Sequence, residues 1–158
     1  MRKHIIKTAL LALACLAAYM AVLAGCSART SGTSTDAAPM PTLADCPVSR
    51  DTSFGGVYIN ATIDEFNELG FAYGDSVDIA FSNGYELRGV PYYNGYYVRV
   101  GDSLLVGYPG YPYVEAAVNY GDPLWDTAGL SEGDTATVTL AQAGAFADIQ
   151  ESFDIAYT

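Results

Sequence analysis

Beyond Lys7 the chain has no lysine and no histidine; the one histidine is His4. Everything downstream is therefore excluded from Ser-His-Asp and Cys-His catalysis, from histidine metal sites and from lysine Schiff bases. Basic charge is scarce altogether. Seven Lys and Arg face 18 Asp and Glu, a net of −11. Without a basic face to meet phosphates, nucleic acid is not a partner. Three of the seven cations, Arg2, Lys3 and Lys7, crowd the N-terminus, whereas every acid lies at Asp36 or later. If that N-terminal stretch is removed, Arg29, Arg50, Arg88 and Arg99 stand against all 18 acids. With 158 residues, the chain has room for one ordinary domain.

What is present begins with an export signal. Met1 to Lys7 is basic, Thr8 to Ala24 is almost wholly apolar, and the run stops at Leu23-Ala24-Gly25-Cys26. A basic start, a short apolar core and small residues before a cut describe a secretory signal peptide over 1–25. A cysteine directly after Leu-Ala-Gly resembles the bacterial lipobox, in which that thiol is diacylated and becomes the new N-terminus. Cys26 is thus the expected lipidation site. The expected location is the extracytoplasmic face of a bacterial cell membrane, with the membrane as a partner through the lipid. Cys15 leaves with the signal, so Cys46 is the one remaining thiol and no internal disulfide forms. Cys46 is either a small buried hydrophobe or a thiol exposed near the tether.

Residues 26–44 read as a lipidated tether. Ser27 to Ala44 is rich in Ser, Thr, Ala and Pro and lacks apolar periodicity. As a flexible coil it would span roughly 25 Å. From 45 to 158 the expected domain is mainly β, a small closed antiparallel barrel with short helices. Runs at Phe54–Ile59, Ser76–Phe81, Tyr85–Leu87, Leu104–Gly107, Tyr113–Val118 and Thr135–Leu140 read as strands. Asn94-Gly95 inside Tyr92–Val100 predicts a two-residue hairpin. Thr62-Ile63-Asp64-Glu65 has capping-box spacing, and Asp122-Pro123 places an acid before a first-turn proline. Ala145–Asp154 predicts a final helix.

Asn60–Phe81 lies on Asn119–Leu140 without a gap. Phe66 matches Trp125, and Gly74-Asp75-Ser76 matches Gly133-Asp134-Thr135. The spacing predicts a duplication with a pseudo-two-fold arrangement that hides sheet edges.

Phe54-Gly55-Gly56-Val57-Tyr58-Ile59-Asn60 resembles the Phe-Gly-Asn-hydrophobic-x-Thr-Asn segment of S-adenosylmethionine hydroxide adenosyltransferases and their halogenase relatives, where it opens the C-terminal β-barrel domain. Gly101–Leu105, Val114–Asp122 and Ala128–Val138 are similar to that domain too, so the resemblance covers about residues 51–140. It implies a barrel but not that activity, because the family's water-activating residues belong to a separate N-terminal domain. The family's nucleoside-holding Asn corresponds to Gly56 here. Leu69–Ile79, Pro91–Tyr97, Gly107–Tyr113 and Asp148–Glu151 resemble the accessory domain that precedes the phosphatase domain in certain Gram-positive lipoprotein tyrosine phosphatases. The Cys-x5-Arg cradle of those enzymes has no counterpart: Gly32 and Thr52 stand where arginine would follow Cys26 and Cys46.

Nine of the 13 tyrosines fall between Tyr85 and Tyr120. They either form a stacking surface for a flat ligand such as a nucleoside or sugar, or fill the half-buried surface of a small barrel. Phe54, Asn60, Tyr108, Tyr111 and Tyr113 are the candidate ligand-binding residues. Asp75, Asp102, Asp122 and Asp134 follow glycine at strand starts, where turn capping accounts for them better than calcium binding. No catalytic residue, metal site or cofactor is assigned. The expected function is a non-enzymatic binding or accessory module. Its alternative is a non-catalytic subunit that completes an adenosyltransferase-like or phosphatase site on a partner protein.

Overall fold

A computed structural model describes residues 39–156. Cys26, the expected signal peptide and most of the expected tether lie outside the described residues. Seven strands close into a barrel in the order β1-β2-β6-β5-β4-β3-β7. They are β1 (Thr42–Arg50), β2 (Val57–Ile59), β3 (Ser76–Phe81), β4 (Glu86–Tyr93), β5 (Ser103–Val106), β6 (Val114–Val118) and β7 (Thr135–Gln142). Three short helices are α1 (Ile63–Glu68), α2 (Leu124–Thr127) and α3 (Ala147–Ala156). The core inside the barrel is built from alternate positions, among them Val57, Ile59, Val77, Ile79, Leu105, Val114, Ala116 and Val138, and is closed by Phe66, Phe71 and Tyr92.

The duplication is visible in the register. Val57 pairs with Ala116 and Ile79 with Val138. Both pairs are separated by 59 residues, the spacing that separates Asn60 from Asn119. Each repeat therefore meets its own copy across the barrel, as a two-fold axis through both pairs requires. The turns repeat as well. Gly74 and Gly133 take φ +93° and +95°, a region open to glycine at little cost. Asp75 Oδ2 accepts from the Ala72 N–H and Asp134 Oδ2 from the Ser131 N–H, both at 2.8 Å. Hydrogen bonds from Ser82 and Ser131 hold the Asp134 carboxyl below its usual range.

Four expectations are corrected. The barrel is mixed rather than wholly antiparallel, because β4 and β5 run parallel, Tyr92 opposite Leu105 and Tyr93 opposite Val106. The Asn94-Gly95 hairpin does not form. Gly95 stays out of the left-handed region that a tight hairpin turn needs. Asn94 is held instead by α3, its Oδ1 accepting from Gln150 Nε2 at 2.9 Å and its Nδ2 donating to Asp154 at 3.1 Å. Tyr97 stacks on Phe153, ring centres 4.1 Å apart. β1 begins at Thr42, inside the segment expected to be tether. Finally, Thr62 and Glu65 form the expected capping box, but Asp122 caps nothing: Pro123 takes the N-cap position of α2 without a side-chain bond.

Candidate functional site

Strand β6 turns Val114 and Ala116 into the core and Glu115, Ala117 and Asn119 to the outside of the barrel. Outside does not mean solvated. The segment between β4 and β5, freed from the hairpin, folds back over β5 and β6. Tyr96 and Val98 then pack on a second apolar cluster of Leu104, Val106 and Ala117. Glu115 is covered completely, at 0% exposure.

Around it lies a cleft of about 320 Å³, lined by Phe54, Gly56, Tyr96, Tyr111, Glu115 and Asn119 among others. The turn from Asp51 to Gly56 forms one wall. The Asp51 carboxylate accepts the Ser53 and Phe54 N–H groups at 2.8 and 3.0 Å, and the main chains of Asp51 and Gly56 are bonded at 3.0 Å. This places Phe54 at the turn's tip, 77% exposed. Opposite in sequence, Tyr120 follows β6 with φ +50° and stands 90% exposed on the lining. A bulky residue in that region costs roughly 1–3 kcal/mol, strain that tends to persist at working sites.

Tyr96 donates to Glu115 Oε2 at 3.1 Å. The Asp51 carboxyl lies within hydrogen-bond reach of Glu115, and no donor reaches the buried Glu115 Oε1. A buried carboxylate left so costs about 1–3 kcal/mol or more. Burial first, and then the neighbouring Asp51 charge, push the Glu115 pKa up to about 7. Burial and the Glu115 charge likewise raise Tyr96 well above the ordinary phenol range. Tyr111, hydrogen-bonded to Tyr96, is also raised, chiefly by burial.

Gly56 makes room for this carboxyl. A methyl group at 56 would overlap Oε1 and stand 2.7 Å from Cδ. Residues 56 and 115 are counterparts in the duplication, 59 apart, and meet beside the two-fold axis. Only one of them can carry a side chain there, so the duplication yields one site rather than two. Gly56→Ala is expected to cost about 1–3 kcal/mol by overpacking. In a Glu115→Ala background the same change should cost almost nothing. Denaturant midpoints of the four proteins measure this coupling, and additive costs would show that the two residues do not compete for space.

Of the expected ligand residues, Phe54 and Tyr111 line the cleft. Tyr108 lies beside it, 46% exposed, its ring 5.2 Å from that of Tyr111. Tyr113 is not on the lining and packs edge-on against Tyr58. Asn60 sits apart, exposed, and accepts from Ser49 Oγ at 2.9 Å. Its repeat counterpart Asn119 is the one on the lining, buried and donating to the Val98 carbonyl at 2.7 Å. Glu115 escaped sequence reasoning. The available signal was a single acid within the small apolar strand Val-Glu-Ala-Ala-Val.

Asp75, Asp102 and Asp134 are engaged in turn bonds or with Arg99. Among the described residues no cluster of His, Cys, Asp or Glu is placed to hold a metal ion, and no helix is long and apolar enough to cross a membrane. Cys46 is buried, and burial pushes its thiol pKa up.

No family model matches the chain, and no curated protein matches it. Among solved structures, an uncharacterized conserved protein from Thermotoga maritima is similar, with a TM-score of 0.49 and 23% identity over 61% of this chain. The match spans 35% of that protein's length.

Proposed function

We propose that this chain is a membrane-anchored extracytoplasmic module that binds a small flat ligand and carries out no chemistry of its own. The supporting observation is Glu115: a fully buried carboxyl with no donor to one of its oxygens, on the wall of a cleft bordered by exposed aromatic rings. A cleft of about 320 Å³ is at the lower end of small-molecule sites. Phe54 and Tyr120 offer faces on which a ring can stack, and the charge of the Glu115 carboxyl beneath them orients it. The resemblance to the adenosyltransferase C-terminal barrel favours a nucleoside. The tyrosine-rich surface serves a sugar equally well. Anchoring is assigned to Cys26.

A second reading treats the domain as a non-catalytic subunit whose cleft is completed by a partner chain. The exposure of Phe54 and Tyr120 favours it, since a partner would cover them.

The test is a titration of the purified protein with nucleosides and sugars, followed by NMR, beside the Phe54→Ala variant. Binding that weakens by about 1–3 kcal/mol in the variant is expected. No binding, with a co-purifying chain that protects Phe54, would transfer the case to the second reading. In the same cells, Cys26→Ser should move the protein out of the membrane fraction. Retention there would refute the anchor.

A further inference from the structure

We infer that the cleft selects an organic cation: a protonated amine on a flat or apolar body, held among the aromatic rings in the field of the Glu115, Asp51 and Asp122 carboxyls. This rests on the cleft's being a ligand site and names the ligand's chemical class.

The charges around the cleft all have one sign. Glu115 and Asp122 line it, Asp51 stands beside Glu115, and no lining residue is basic. Residues 39–156 contain three cations, Arg50, Arg88 and Arg99, and each is paired elsewhere, with Asp126, with Glu86 and Asp78, and with Asp102. Nothing within the domain is left to neutralise Glu115. Tyr96 donates to one carboxyl oxygen, no donor reaches the other, and the Asp51 carboxyl lies within hydrogen-bond reach of Glu115. An anionic ligand would meet two carboxylates and a phenol with no compensating donor. A neutral hydroxyl would leave the Asp51–Glu115 repulsion untouched. A cation relieves it, because an opposite charge beside paired carboxylates favours their ionised forms. The walls suit the same ligand. Phe54, Tyr96, Tyr111 and Tyr120 surround the acid with aromatic rings, whose negative faces attract cations.

The experiment uses three probes of matching shape: phenethylamine, 2-phenylethanol and 3-phenylpropionate. Each is titrated into the purified protein and followed by NMR at pH 8 and pH 5. Phenethylamine should bind best at pH 8, and the propionate least. In Glu115→Gln the amine should lose about 10-fold, the scale of one lost charge attraction near the protein surface, while the alcohol is unchanged. The amine stays protonated over this range, with a pKa of about 10. Its weaker binding at pH 5 therefore reports on the protein. The titratable groups facing Glu115 are Asp51 at the end of β1, Tyr58 on β2, and Tyr96 and Tyr111 from the covering loops. Of these, Glu115 is the one pushed up to about 7. Circular dichroism confirms the variant's fold, and Phe54→Ala, at an exposed position, supplies a second route to the same loss.

Equal binding of amine and alcohol, or an amine affinity unaffected by Glu115→Gln, overturns the cation assignment. The nucleoside and sugar titrations stand or fall separately, so the ligand site can survive the loss of its proposed charge preference. Absence of amine binding at millimolar concentration also overturns the assignment, whatever those titrations give.

Discussion

Tyr92→Ala is expected to cost about 3–5 kcal/mol of unfolding free energy, the range for truncating a large buried aromatic. The ring is fully buried. It meets Phe66 edge-on at 5.0 Å and Tyr73 at 4.7 Å. Its hydroxyl donates to Asn67 Oδ1 at 2.9 Å. Tyr92 thus ties α1 to the point where β4 meets β5 in parallel. Tyr92→Phe keeps the ring and loses the hydrogen bond, so it should cost only about 1 kcal/mol. Urea midpoints with unchanged slope measure both. If the alanine variant loses under 1 kcal/mol, the tyrosines of β4 are not core and the inner wall of the barrel has been misassigned.

That result bears on the question the tyrosine-rich sequence left open. The Asn94-Gly95 signal predicts a hairpin with Tyr92 and Tyr93 in one strand and Tyr96 and Tyr97 in the other. Only the first two lie in a strand, and both are buried. Asn-Gly is a local signal, and it lost to contacts distant in sequence: α3 captures Asn94, and Phe153 captures Tyr97. β1 was illegible for a different reason. Asp45 takes φ +48°, and the register with β7 shifts between Leu43 and Cys46. A bulge adds a residue and breaks the period-two pattern on which strand recognition rests. The duplicated turns were legible because they are local. Glycine at positive φ and an aspartate three residues from its amide partner are fixed by neighbours in the chain, whichever barrel they join.

The cleft was half legible. Phe54 and Tyr111, aromatics in turn-rich segments, line it. The two-fold relation makes Asn60 and Asn119 equivalent in sequence but not in surroundings, and Asn119 is the one on the lining. The loop from 94 to 102 covers one outer face of the barrel, and that covering turns Glu115 from a surface acid into a buried one. Burial of a strand residue facing away from the core depends on a distant loop, so alternation alone assigns it to solvent.

Glu115→Gln should therefore change how stability depends on pH. Folding raises the pKa of this carboxyl from 4.5 to about 7, so the folded state holds a proton that the unfolded chain releases. The contribution is fully present below about pH 4.5 and is lost as pH rises through about 7. At 1.36 kcal/mol per unit, the native protein should be about 3 kcal/mol less stable at pH 8 than this group alone would make it at pH 4.5. The variant should lack that decline, because an amide of the same shape holds no titrating proton. Its oxygen can still accept from Tyr96, so the loss of the slope need not bring a loss of packing. Glu65 is lowered by its bonds to Thr62, as Asp134 is by its own partners, so both act with the opposite sign and at more acid pH. The window from 4.5 to 8 thus isolates Glu115. Urea midpoints at half-unit intervals would decide the matter. A native profile already flat across that window would mean that the carboxyl is solvated in the folded protein, and the buried acid of the cleft would have to be abandoned.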